Sequence, residues 1–252
     1  MELSVAGTVL LCVTGFLAGG INTLAGGGSN LTLPALMLFG LPADIANGTN
    51  RIAVLAQSVV ATKGFDDHLS LDRPAILPIL IPNLFGGFVG ALSAALLPNL
   101  YLKPVLLVTI LAMTVVILVK PGIIAPPSGT PALSPASNRG AWWSLFGAGV
   151  YGGFVQAGVG FILLAAIAGS LRYDLLRANA LKAVCTLAVT CVSLLIFIGF
   201  GQVSWIPGLI VASGTVFGAH LAVKVAVRAS QNSIKWFLFV MTLCAVGANL
   251  FF

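Results

Sequence analysis

Charge is nearly absent from this chain: 12 basic and 6 acidic side chains serve 252 residues. A soluble globular domain devotes roughly 25% of its residues to charge, against 7% here. Apolar residues make up 59%, and the mean hydropathy is +1.09. So few charges cannot hydrate the surface of a soluble fold of this length, which excludes a soluble enzyme. The pI of about 9.5 does not indicate a nucleic-acid partner. The net +6 arises from scarce acids and not from a basic tract. The partner that fits is the lipid bilayer, and the fold class is an all-α polytopic membrane protein.

Neither catalysis nor metal chemistry is expected. Cys12, Cys185, Cys191 and Cys244 lie inside apolar runs without CxxC spacing, so no disulfide framework or metal site is indicated. No HExxH, GxSxG or P-loop string occurs. No cofactor is called for. The first apolar run starts at Leu3 without a basic stretch before it or an A-x-A cleavage site. It reads as a retained helix and not a signal peptide.

Hydropathy and helix breakers divide the chain into ten segments: 3–24, 29–40, 44–63, 74–97 and 101–120, then 141–158, 160–171, 174–200, 203–227 and 234–252. Most have the ~20 residues that cross ~30 Å of hydrocarbon. Segments 29–40 and 160–171 are short and follow glycine-rich stretches, as broken or re-entrant helices do. The expectation is eight full transmembrane helices plus these two short segments. Residues 121–140 form a Pro/Ser/Gly-rich linker between a first membrane repeat, 1–120, and a second, 141–252. The halves echo one another. Gly19-Gly20 matches Gly152-Gly153 at an offset of 133, and Ala46-Asn47 matches Ala178-Asn179 and Lys103 matches Lys235 at 132.

Loop charges orient the chain. With ten crossings and the N-terminus outside, the inner loops carry Lys63, Arg73, Lys120, Arg139, Arg172, Arg177, Lys224, Arg228 and Lys235, and the outer loops only Lys103. That bias is the positive-inside rule. Five crossings per half place the halves in opposite orientations, the inverted repeat common in secondary transporters.

The informative residues are polar ones within apolar runs. The cluster from Gly19 to Asn30 places Asn22, Gly26, Gly27, Gly28, Ser29 and Asn30 at a helix break. Freed N–H groups at a following helix start can bind an anion, although glycines also serve close helix packing. Gln156 is the polar residue of the second-half break. Asn47, Thr49, Asn50 and Arg51 head the third segment, and Asn179 and Lys182 the eighth. Arg51 lies seven residues beyond Asp44, roughly 10 Å along a helix. A cation at that depth costs several kcal/mol unless it faces a cavity or partner. The six carboxylates all fall near segment ends, so the two cations with their amide and hydroxyl neighbours suit a small anion. The competing use is snorkelling, or structural bonding to backbone carbonyls. Gln57 and Ser58 extend the polar face beyond Arg51. His220, mid-segment, is a candidate proton carrier.

The string GFLAGGINTLAGGGSNLTLPALMLFGLPADIANGTNRIAV, Gly15 to Val54, resembles the N-terminal signature of the TauE/SafE family of sulfite and organosulfonate exporters. The two related halves around a variable linker fit that layout. In the second half the glycine run is reduced to Gly158-Val159-Gly160, and the proline matching Pro34 is missing. The resemblance implies an ATP-independent carrier in the bacterial inner membrane. It would move sulfite or an organosulfonate such as sulfoacetate by alternating access. An anion channel or a carrier for small carboxylates is the alternative. Proton or sodium coupling and a homo-oligomer are compatible with either.

Overall fold

Each helix starts where the sequence offers a stop to the preceding turn. In the computed structural model, which describes residues 5–24, 26–68, 71–119, 131–133 and 138–228, there are nine helices. They are α1 Val5–Leu24, α2 Ser29–Leu38, α3 Ala43–Asp67, α4 Arg73–Leu96, α5 Asn99–Val119, α6 Arg139–Phe154, α7 Val159–Leu164, α8 Leu175–Gly199 and α9 Trp205–Arg228. A π-helical turn, Ala165–Ser170, continues α7. Asn138 caps α6 by accepting from Ala141 N at 3.1 Å, and Asp174 caps α8 by accepting from Arg177 N at 3.0 Å. Such caps satisfy N–H groups that no helical turn can reach. Pro42 precedes α3 and Pro74 sits in the first turn of α4, where the missing N–H costs nothing.

Nine of the ten expected segments are present as helices. The tenth, 234–252, lies outside the described residues, as do Lys235 and most of the 121–140 linker. No strand occurs among the described residues. Among the described residues, four helices have the length and apolarity to cross a bilayer: Gly7–Leu24, Arg73–Leu96, Leu175–Gly199 and Trp205–Arg228. Leu77, Phe85, Leu195, Ile206, Leu209 and Phe217 project from α4, α8 and α9 as exposed apolar side chains. Contiguous apolar surface of this kind suits lipid and not water.

Helix boundaries repeat through the chain. Ala43 and Leu175 start α3 and α8, and Arg73 and Trp205 start α4 and α9, each 132 positions apart. The ends of α1 and α6, Leu24 and Phe154, and the starts of α2 and α7, Ser29 and Val159, are 130 apart. Two extra residues therefore enter between Val159 and Ser170, where the π-helical turn lies. A π-turn is the way a helix absorbs an insertion without breaking. This register corrects the expected match of Gly19-Gly20 with Gly152-Gly153. Gly19 corresponds to Gly149, and Gly152 and Gly153 stand where Asn22 and Thr23 do.

Packing is reciprocal between the halves. Helix α1 lies on α9 as α6 lies on α4, and α3 and α8 pack together at the centre. A methyl group on Gly218 would strike the Phe16 carbonyl, and one on Gly86 the Phe146 carbonyl. Small residues let these backbones approach closely. Asn83 on α4 donates to Leu145 O on α6 at 3.0 Å, and its counterpart Thr215 on α9 donates to Ala53 O on α3 at 3.0 Å.

Candidate functional site

The chain turns back on itself after α1 and again after α6. Gly26 takes φ +95° and Gln156 takes φ +69°, at equivalent positions of the two turns. Gly28 then lies against the Ala18 carbonyl, and Val159 against Gly152. Each pair of helices is thus a hairpin, α1/α2 and α6/α7. The hairpins meet tip to tip, with Gly160 N donating to Gly26 O at 3.3 Å.

The two central helices each send one cation into the tip of the other half's hairpin. Arg51, on α3, is fully buried. Its Nη1 donates to Gly152 O at 2.6 Å and to Gln156 Oε1. Its Nη2 donates to Gly153 O at 2.7 Å and to Asn47 Oδ1 at 3.5 Å. The Phe197 ring lies 5.3 Å from the guanidinium carbon. Lys182, on α8, donates to Asn22 O at 3.1 Å, Thr23 O at 2.9 Å and Asn179 Oδ1 at 2.7 Å. In the 130-residue register, Asn22 and Thr23 are the counterparts of Gly152 and Gly153. The same two carbonyls of each hairpin are held by a cation from the other half.

These carbonyls close the C-terminal ends of α1 and α6, where the helix dipole places about half a negative charge. A cation there gains up to ~2 kcal/mol in a buried setting, less than the several kcal/mol of its desolvation. No carboxylate pairs with Arg51 or Lys182 among the described residues. Among the described residues the ion pairs are Arg73–Asp66 and Arg177–Asp72, at helix ends. Arg51 and Lys182 are both buried.

The structure groups these polar residues across the two halves. Asn22, Asn179 and Lys182 come together, as do Asn47, Arg51 and Gln156, so each group draws on both halves. Asn47 Nδ2 also donates to Phe154 O at 2.8 Å. Asn50 turns elsewhere, accepting from Thr32 Oγ1 at 2.6 Å and donating to Ser29 Oγ at 3.0 Å. Thr49 accepts from Ser204 N at 2.9 Å and secures the α8–α9 connection. Gly26 forms the hairpin join, Gly27 faces the Phe161 ring, and Gly28 packs on α1. His220 lies on the exposed side of α9, away from both cations. Among the described residues, Asn30 Oδ1 and Nδ2, Asn179 Nδ2 and Arg51 Nε are buried without a hydrogen-bond partner.

Beside Lys182 is a cavity of about 10 Å³ walled by Asn22, Thr23, Gln57, Ser58, Ala61, Ala183 and Thr186. That is room for about one water molecule. Thr23 and Thr186 were not singled out in the sequence; hydroxyls in apolar helices usually bond to their own backbone and so carry little signal. A second space, lined among others by Asn83, Gly152, Gln156, Thr186 and Val189, is closed, with about 0 Å³ free.

The chain is 28% identical over 241 residues to a "Probable membrane transporter protein" of Haemophilus influenzae, covering 93% of this chain and 90% of that one. It is 28% identical to "Probable membrane transporter protein ORF9" of a Sinorhizobium species, covering 92% and 88%. It is 27% identical to "Probable membrane transporter protein YfcA" of Escherichia coli K12, covering 90% and 83%. No solved structure matches. The profile of the family described as "Sulfite exporter TauE/SafE" matches residues 11–250, and with the motif from Gly15 to Val54 this places the chain in the TauE/SafE family of membrane transporters.

Proposed function

We propose that this protein is a secondary carrier for sulfite or a small organosulfonate, working by alternating access in the bacterial inner membrane. The observation that carries this reading is the pair of buried cations, Arg51 and Lys182, neither of which pairs with a carboxylate among the described residues. A charge kept in a dry interior at a cost of several kcal/mol is explained by a ligand of opposite sign. The family supplies the ligand class.

The reading includes an inverted repeat, with residues 1–120 and 141–252 related by a two-fold axis in the membrane plane. The reciprocal packing of α1/α9 and α6/α4, and the crossed cation contacts, support that axis. The two hairpins then dip towards the midplane from opposite faces while the remaining helices cross. Asn22, the Gly26–Gly28 backbone, Ser29, Asn47, Thr49, Asn50 and Arg51 belong to this polar interior from the first half, and Gln156, Asn179 and Lys182 from the second. Rocking of one half against the other opens the space between the tips first to one side and then to the other.

Counterflow in proteoliposomes tests the proposal. Vesicles preloaded with unlabelled sulfite should concentrate labelled sulfite transiently, with saturation. A current or flux that rises linearly with concentration and shows no counterflow would establish a channel instead. Labelled acetate accumulating in place of sulfite would move the substrate class to carboxylates.

A further inference from the structure

The two cations hold equivalent hairpin carbonyls from positions one residue apart in the 132-residue register, and Lys182 also lines a cavity of about 10 Å³. On the 132-residue register the counterparts of Gln57 and Ser58 are Val189 and Thr190. Around Lys182 the cavity wall therefore carries Gln57, Ser58 and Thr186 as neutral donors. The space beside Gly152 and Gln156, two partners of Arg51, shares Thr186 but has Val189 in the place of Gln57, with about 0 Å³ free. The three Lys182 contacts run to acceptors on two different elements. Arg51 likewise holds two carbonyls of the opposite hairpin and an Asn of its own helix, Asn47, and adds Gln156 through a planar fork. Such a fork is rigid, whereas an ammonium on a four-carbon stem reorients readily.

We infer that Lys182 alone is the substrate-binding cation, that Gln57, Ser58 and Thr186 complete its site, and that the site is matched to a single negative charge. Arg51 is the fixed member that holds the α6/α7 hairpin. The inference rests on the carrier reading above and names the subsite and the charge of its ligand.

The steps follow from the geometry. Gln57, Ser58, Thr186 and Lys182 stand on α3 and α8, the packed central pair, while Asn22 and Thr23 belong to the tip of α1. A cavity of about 10 Å³ holds about one water, so an anion enters only as the α1 tip withdraws. Its oxygens then replace the Asn22 and Thr23 carbonyls on the Lys182 ammonium. Substrate binding and release of the α1/α2 hairpin become one event. One cation with neutral donors balances a monoanion, such as hydrogensulfite or a sulfonate head group. A dianion would leave one buried charge uncompensated, which is costly in this setting.

Methanesulfonate and sulfate have similar tetrahedral shapes and differ by one charge, so they separate charge matching from size. The purified full chain would be heated with each at equal ionic strength. Methanesulfonate should raise the unfolding midpoint by several degrees and sulfate should not. Ser58→Ala and Gln57→Val, the latter copying Val189, should each weaken methanesulfonate binding by about 10-fold with little change in the midpoint without ligand. Lys182→Gln should abolish the response. Equal stabilisation by sulfate would overturn the charge matching. Unchanged binding in both Ser58→Ala and Gln57→Val would overturn the subsite even if Lys182→Gln fails to fold. In either case sulfite counterflow by the wild-type protein leaves the carrier reading standing. Its absence for every anion tried would remove that reading, and this inference with it.

Discussion

Gly160 donates its backbone N–H to the carbonyl of Gly26 at 3.3 Å, and the two α-carbons approach so closely that neither residue can carry a side chain. A methyl group on either would collide with the backbone of the other. Overpacking of this kind typically costs ~1–3 kcal/mol. At Gly26 the φ of +95° adds strain of the order of 1–3 kcal/mol. Gly26→Ala should therefore destabilise more than Gly160→Ala. Gly147→Ala, which meets nothing within 4 Å in the middle of α6, should stabilise slightly, by ~0.5–1 kcal/mol. Thermal unfolding in detergent ranks the three variants, and an undisturbed Gly26→Ala would disprove the tip-to-tip contact.

The Asn50 amide ties α2 to α3 through Ser29 and Thr32. All three residues are buried. Asn50→Leu removes the amide and orphans both hydroxyls, and each orphaned buried group costs ~1–3 kcal/mol. Adding Ser29→Ala and Thr32→Val removes the orphans as well. The triple variant should then be more stable than Asn50→Leu alone, which is the outcome a unit of three coupled groups requires. A triple variant that loses the sum of the single losses would show three independent contacts.

What could be read from the sequence follows from what costs energy. Arg51 and Lys182 were legible because a charge within an apolar run is expensive wherever the chain folds. Their partners were not, since backbone carbonyls at a helix end carry no sequence signature. The glycine breaks and the short helices after them were visible. The register of the repeat was obscured by the two residues inserted at the π-helical turn. Thr49 and Asn50 adjoin Arg51 in sequence, yet successive helical residues point about 100° apart. They reach the α8–α9 connection and α2 instead. His220 stands in the middle of an apolar segment. Nothing in such a uniformly apolar stretch indicates which side faces outward.

A clasp outside the spanning segments gives a pH signature. The Tyr173 hydroxyl donates to Asp72 Oδ2 at 3.0 Å, and Arg177 Nη2 donates to the same oxygen at 2.8 Å. Burial, then the hydrogen bond to Asp72 and its charge, push the Tyr173 phenol up to about 12 from an ordinary value of 10.0. The folded protein thus holds this proton where the unfolded chain has lost it. The resulting stability is fully present below pH 10 and disappears as pH rises towards 12. Tyr173→Phe should flatten that part of the stability curve. Asp72→Asn should lower the phenol's titration, read as the wild-type minus Tyr173→Phe difference in phenolate absorbance. No change with Asp72→Asn would mean that burial alone sets it.

Arg51 should behave as a structural cation in every measurement that separates folding from binding. Three of its four bonds close the end of α6, and the fourth runs to Asn47 on its own helix. Arg51→Ala would leave the carbonyls of Gly152 and Gly153 and the Gln156 amide oxygen to find other donors. With ~1–3 kcal/mol for each buried group left unpaired, little folded protein is expected, so lost transport in this variant would report a collapsed hairpin. Arg51→Lys is the discriminating change. It keeps the charge and loses the planar fork, so a fall in thermal stability with substrate KM within about two-fold of wild type is expected. A KM raised ten-fold or more at unchanged stability would make Arg51 a ligand of the anion and return the site to both cations.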